Sequence, residues 1–218
     1  MEERAFTLIE LLTVIAIIGV LAALVIPLSG VASSKMRLSR VNVELNNYIT
    51  AIESYKSRLN YYPPDNPKVK SLVPADYRLA TGMNPLFYEL SGAIYTNLPA
   101  PNGAFTTLNG SEKVSTDDLL SNFGVKGVQN SARDPRDVPY KGAAFKPAQY
   151  AALNVGTDVE VLAVPVPQGP DLLTGKAGKI NPWRYDASSL NRHNRDGFDL
   201  WAEYTIGKKT IVIGNWKQ

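Results

Sequence analysis

Residues 6–28, FTLIELLTVIAIIGVLAALVIPL, form an apolar run of 23 positions carrying a single charge, Glu10. As a helix rising 1.5 Å per residue the run covers about 34 Å, enough to cross a hydrocarbon layer of about 30 Å. It therefore reads as a transmembrane helix. A cleaved secretory signal is the rival, and it needs a basic start, a shorter apolar core and a small-x-small cleavage site. Here the start is Glu2, Glu3, Arg4 and the run is long. Pro27 and a helical pattern that continues beyond it argue against a cut within SGVASS, residues 29–34. Glu10 is the odd residue. A carboxylate in an apolar span is costly, less so near the interface, and an acid in the first turn gains from the helix dipole. It gains more if a cationic partner stands at the same depth. A cut before Phe6 would supply one, an α-amine one turn from Glu10, in the same chain or in a packed neighbour.

Past Pro27 the helical period persists. Leu38, Val41, Leu45, Tyr48, Ile52, Tyr55 and Leu59 recur at alternating spacings of three and four, an apolar stripe on one face. Lys35, Arg37, Arg40, Glu44, Glu53, Lys56 and Arg58 lie off it. The stripe suits packing onto a sheet better than a coiled-coil seam, because it includes two tyrosines. The helix should end near Asn60, since Tyr61-Tyr62-Pro63-Pro64 cannot continue it. A continuous helix over 6–59 would be about 81 Å long. Pro27 should kink or locally open it. Ala16, Gly19 and Ala23 are small enough to let neighbouring helices approach.

The segment Ala5, Phe6, Thr7, Leu8, Ile9, Glu10, followed by an apolar helix containing Pro27, resembles the class III signal of type IV pilins and type II secretion pseudopilins. Ala5 stands where the family usually has Gly. The resemblance implies that a prepilin peptidase cuts between Ala5 and Phe6 and N-methylates Phe6, and that Glu10 pairs with the N-terminus of an adjacent subunit during assembly. It continues beyond the signal. AIESYKSRLNYYP, residues 51–63, is similar to the helix end of the major pseudopilin; Asn181-Pro182-Trp183 and Tyr185 look like its Asp-Pro-Trp segment; Asp196-Gly197-Phe198-Asp199-Leu200-Trp201 looks like its Tyr-Asp-Leu strand; Gly214-Asn215-Trp216 matches its Asn-Trp end. The family topology puts the N-terminus inside and the globular domain outside. Counting basic residues gives the reverse, with Arg4 before the run and Lys35, Arg37 and Arg40 after it, but a five-residue leader is too short to outweigh the family pattern.

In the remainder, MNPLFYEL (83–90) predicts a short helix or strand, STDDLLSNFG a helical turn capped at Ser115 or Thr116, and VEVLAVPV (159–166) an edge strand limited by its prolines. FDLWAEYTI (198–206), turning at Gly207-Lys208-Lys209 into TIVIG, is the clearest hairpin. All three tryptophans follow residue 180, so the core covering the upper helix is expected there. Residues 85–178 read as an inserted middle region.

Cysteine is absent and there is a single histidine. Disulfides, thiolate metal sites and thiol nucleophiles are excluded, and a multi-His zinc site is disfavoured. A net charge of +3 without a basic cluster gives no sign of nucleic-acid binding. His193, in NRHNRDG, reads as an exposed turn residue; Asp134, Asp137, Asp171 and Asp186 follow no spacing rule, and the chain does not read as an enzyme. The family's calcium site implies Asp196 and Asp199 as candidate ligands, since hard oxygen donors suit that ion, although Lys208 and Lys209 oppose it; otherwise no cofactor is expected, Asp196 reading as a turn residue and Asp199 as solvent-facing.

The expectation is an α+β, pilin-like fold: leader 1–5, transmembrane helix 6–28, amphipathic continuation 29–60, and an exported domain 61–218 in which the upper helix packs on a small antiparallel sheet. The implied role is a structural subunit of a type II secretion pseudopilus at the bacterial inner membrane, with the globular domain on the periplasmic side. Its partners would be other copies of itself, minor pseudopilins, prepilin peptidase, the inner-membrane secretion platform and the lipid bilayer. A type IV pilus pilin and a non-assembling membrane-anchored binding domain are the alternatives.

Overall fold

The computed structural model describes residues 7–96, 103–154, 156 and 159–216, and within the first helix the side chains outside 23–32. The chain divides into two compact units, Met1–Arg40 and Val41–Gln218.

Helix α1 (Leu8–Leu59) contributes to both units and continues on either side of Pro27 without interruption. The missing N–H of Pro27 leaves one intrahelical hydrogen bond unmade, and the helix carries on past it. The helix stops where the sequence predicts. Asn60 takes φ +64° and its N–H bonds to the Lys56 carbonyl at 2.8 Å, a left-handed C-terminal cap that asparagine tolerates.

Within the second unit the stripe is inside. Val41, Leu45, Tyr48, Ile52 and Tyr55 are buried, while Leu59 at its end is half-buried. The stripe is thus consumed by this chain's own core and is no coiled-coil seam. One off-stripe residue departs from expectation: Glu44 is buried, not solvated, because it lies three residues from Val41 and four from Tyr48 on the same face.

The rest comprises α2 (Pro74–Gly82), α3 (Leu86–Ser91), β1 (Ala93–Thr96), β2 (Ala104–Thr107), β3 (Lys113–Ser115), α4 (Thr116–Phe123), β4 (Ser131–Ala132), β5 (Tyr150–Ala152), β6 (Glu160–Leu162), β7 (Leu173–Gly175), β8 (Gly178–Ile180), β9 (Arg184–Asp186), β10 (Asp199–Ile206) and β11 (Lys209–Gly214). The α+β class holds and the sheets are small and mostly antiparallel, but there are several where one was expected. Among the described residues a four-stranded sheet runs β3-β2-β1-β4, a three-stranded one runs β11-β10-β9, and β5-β6 and β7-β8 form two-stranded pieces. The β1–β4 pair is parallel. Strands of three or four residues with Gly- and Pro-rich connections cannot extend into one broad sheet.

Local signals act as read. α4 is capped by Ser115, whose Oγ accepts from the Asp118 N–H at 3.0 Å. β6 pairs with β5, and on its other side the Leu162 carbonyl accepts from the Trp183 N–H at 3.0 Å, next to an isolated bridge between Ala163 and Pro182. β10 and β11 form the hairpin, Ile206 opposite Lys209, around Gly207 at φ +60°. The cover over the helix comes from two sources. Tyr48 meets Trp183 edge-on at 5.3 Å and Phe145 at 5.9 Å, and the Tyr55 hydroxyl donates to Glu89 Oε2 at 2.9 Å. The C-terminal part therefore shares the core with residues 85–145.

Candidate functional site

In the first unit the site begins at Thr7. The backbone N–H and Oγ1 of Thr7 donate to Glu10 Oε2 at 2.8 and 2.7 Å, and the Glu10 N–H reaches back to Thr7 Oγ1 at 3.4 Å. This is a reciprocal capping box, and its signature, a Thr three residues before a Glu at the start of an apolar run, stands in the sequence. The sequence assigns Glu10 the helix dipole or an α-amine of its own or a neighbouring chain, and the role of Thr7 as its cap partner is missed. The box holds the carboxylate at the helix start, beside the peptide N–H groups that have no intrahelical acceptor. Ala5 and Phe6 lie outside the described residues. Pro27 is helical.

Every described side chain from Leu8 to Ala22 is exposed, including Leu8, Ile9, Leu11, Ile15, Ile17 and Val20. The apolar surface goes all the way round the helix. An exposed apolar surface of this extent marks a site of interaction with another apolar phase or partner. Among the described residues no helix is long and apolar enough to cross a membrane; the span 6–28 expected from the sequence reaches beyond the described side chains at both ends.

In the second unit the three C-terminal motifs are structural anchors. Asn181 Nδ2 lies within hydrogen-bonding distance of the carbonyls of Val166, Gln168 and Glu203, nearest the last at 2.8 Å. Trp183 is buried against Tyr48 of α1. Asn215 accepts from the Leu200 N–H at 2.9 Å and donates to the Phe198 carbonyl at 2.9 Å, which fixes the end of β11 to the start of β10.

The calcium candidates separate. Asp196 is exposed, whereas Asp199 is 1% exposed, which corrects the expectation that it faces solvent. The Asp199 carboxylate accepts from the N–H groups of His193 and Asn194 at 2.7 and 3.0 Å and pairs with His193 Nδ1 at 2.8 Å. The His193 ring in turn stacks flat on Trp216, 4.1 Å between centroids. Calcium needs six to eight oxygens, and this loop turns N–H groups toward the carboxylate. The residues present do not fit the ion. His193 is exposed as expected, but it ties the loop together and is not a free turn residue.

Of the four unassigned aspartates, Asp134 caps a short turn and pairs with Arg136, Asp137 is exposed at the end of that turn, Asp171 pairs with Arg78 and Arg184, and Asp186 accepts from Ser188, Ser189 and Tyr77. Glu89 is fully buried and also accepts from the N–H groups of Gln129 and Asn130 at 2.8 and 3.0 Å. Burial pushes it up to about 7 against the pull of those donors. No spacing in the sequence marks it, because its partners are 34 to 41 residues away.

The prokaryotic N-terminal methylation motif matches residues 1–26. The fimbrial protein EcpB of Eikenella corrodens is 49% identical over 53 residues, 24% of this chain and 33% of its own length. A type II secretion system core protein G of Pectobacterium carotovorum subsp. carotovorum is 39% identical over 73 residues, covering 33% of this chain and 46% of the relative. The chain therefore spans less than half the length of either protein. The type II secretion system core protein G of Escherichia coli (strain K12) is different: it is 33% identical over 138 residues, covering 57% of this chain and 93% of the relative. The chain belongs to the core protein G family of pseudopilins. No solved structure matches. The unequal shares show that this pseudopilin carries a large amount of sequence outside that alignment.

Proposed function

We propose that this pseudopilin is a structural subunit of a type II secretion pseudopilus, anchored in the bacterial inner membrane with its globular unit on the periplasmic side. The observation that carries this reading is the helix from Leu8 to Ala22, apolar on every side and exposed on every side. Lipid covers it before assembly and the helices of other copies cover it in the filament. Prepilin peptidase removes residues 1–5 and methylates Phe6. Glu10, aimed at the helix start by Thr7, meets the new amine of a neighbouring copy and sets axial register, because an unpaired charge at that depth is costly. Minor pseudopilins and the inner-membrane platform are the further partners. The role is mechanical and includes no catalytic step.

A second reading, a type IV pilus subunit, is favoured by the EcpB match over the N-terminal quarter. Electron microscopy of cells carrying the full chain, together with mass analysis of the mature N-terminus, tests both. Short periplasmic filaments with N-methyl-Phe6 are expected; long surface filaments would favour the pilus, and an uncleaved membrane monomer would contradict both. Glu10→Ala should abolish assembly while leaving the protein in the membrane.

A further inference from the structure

Three carboxylates of the second unit are buried beside one another. Asp186 of β9 and Asp199 of β10 are cross-strand partners, so their side chains leave the sheet on the same face. Asp65, in the connection between α1 and α2, joins them through Ser188. The Ser188 N–H donates to Asp186 Oδ1 at 3.1 Å and its Oγ donates to Asp65 Oδ1 at 2.9 Å. Asp186 is 0% exposed, Asp199 1% and Asp65 7%. Like charges directly opposite on neighbouring strands repel, and a buried carboxylate is costly unless charges or hydrogen bonds compensate it. Arg184, two residues earlier on β9, pairs with Asp171 and Glu203.

The compensation comes from a strap, residues 187–194, which turns donors inward at both of its ends. At the first end the Ala187 N–H donates to Asp65 Oδ2 at 2.7 Å. The Ser189 N–H joins that of Ser188 on Asp186 Oδ1, at 2.9 Å, and the Ser189 hydroxyl donates to Asp186 Oδ2. Successive N–H groups turned onto one anion in this way form a nest. At the other end Asp199 accepts from the N–H groups of His193 and Asn194 and from His193 Nδ1. A carboxylate only accepts, so the ring carries its proton on Nδ1. The middle is tied down by Arg192, whose Nη1 donates to the Ser189 carbonyl and Nη2 to the Arg195 carbonyl. From outside the strap, the Tyr77 hydroxyl adds a donor to Asp186 Oδ2 at 3.2 Å.

We infer that this strap takes the place of a cation over the three aspartates, and that His193 is its clasp. Asp199 holds the ring at its edge and Trp216 holds it by its face, stacked at 4.1 Å and 2°. Trp216 in turn meets Trp201 of β10 edge-on at 5.6 Å, so the strap is fastened to the segment after β11. The mismatch with calcium at Asp199 thereby extends to the whole cluster: a hard cation needs oxygens with lone pairs to offer, and these oxygens are engaged by N–H and O–H donors. The inference concerns the globular unit alone and stands whether or not filaments form.

Trypsin tests the clasp, because Arg192 lies within the strap and Arg195 just beyond it, while Lys208 and Lys209 stand in the exposed β10–β11 turn as a reference. Cleavage at a segment that must first open tracks its open population. In the full chain in detergent, His193→Ala should speed cleavage after Arg192 and Arg195, relative to Lys208 and Lys209. The expected increase is roughly tenfold to a hundredfold, the loss of a hydrogen bond to a charged group. His193→Phe keeps an aromatic face on Trp216 without the donor, and its rate should fall between the two. Calcium and a chelator should leave the rates of the unsubstituted chain as they are. Cleavage of His193→Ala at the unsubstituted rate would overturn the clasp. His193→Phe cleaved as slowly as the unsubstituted chain would overturn the part given to Asp199. Faster cleavage of the unsubstituted chain with chelator, or slower cleavage with calcium, would show that an ion and not the strap compensates the aspartates.

Discussion

Residues 8–22 and residues 41–59 belong to the same helix, yet they present opposite surfaces. The lower stretch is apolar all round and exposed all round. The upper one is apolar on a single stripe, and the stripe is buried by Trp183, Phe145 and their neighbours. Helix propensity is similar in the two. What differs is where the apolar surface is covered: the upper half finds its cover within the chain, while the described lower side chains find none there, a role the proposed function assigns to lipid and to other copies.

The same substitution in each half breaks this comparison most strongly. Ile52→Glu puts a carboxylate where the side chain is fully buried and should cost more than about 4 kcal/mol, enough to abolish a cooperative melt of the 41–218 unit. Ile17→Glu should leave that melt unchanged and stop membrane anchoring and assembly. Loss of the melt in Ile17→Glu, or its survival in Ile52→Glu, would show that the halves are not distinct.

The second effect is pH-dependent and confined to the upper half. Burial raises Glu89 to about 7, and burial followed by the nearby Glu112 carboxylate raises Glu160 to about 7. A carboxyl whose folded value lies above its unfolded one takes up a proton on folding. Its contribution is complete below about pH 4.5 and is lost as pH rises through about 7. The melting temperature should therefore fall from pH 5 to pH 8, with Glu89 alone responsible for about 3 kcal/mol. A flat profile, or one rising with pH, would contradict the burial of Glu89. Glu89→Gln should flatten the slope and cost about 2 kcal/mol at pH 5, because its amide nitrogen would face an N–H donor.

Much of this contrast was legible in the sequence because it depends on local period and on caps. The stripe, the stop at Asn60, the Ser115 cap and the Gly207 hairpin are all set by residues within a turn of one another. The Thr7–Glu10 box was equally local, but it was hidden by attention to a partner in another chain. What could not be read depends on pairing across long separations. Glu89 draws its donors from residues 55, 129 and 130. The parallel β1–β4 pair joins residues 93 and 131. Asp199 looked like a solvent-facing acid because no pattern announces that His193 and Asn194 fold back over it.

Smaller effects sharpen the site. Thr7→Val should cost the helix start about 1 kcal/mol and reduce assembly less than Glu10→Ala does; equal defects would mean that Glu10 acts only as a cap. At the C-terminal loop, added calcium or a chelator should leave the melting temperature where it is. A calcium-induced rise would contradict the closure of Asp199 by N–H donors.

The most direct measurement places single cysteines in this cysteine-free chain and exposes intact membranes to a membrane-impermeant thiol reagent. Ile17→Cys, exposed in the isolated subunit, should remain unlabelled until detergent is added, while Leu72→Cys, exposed on the globular unit, should label at once. Equal labelling of both positions in the absence of detergent would contradict the claim that the lower helix is covered from outside its own chain.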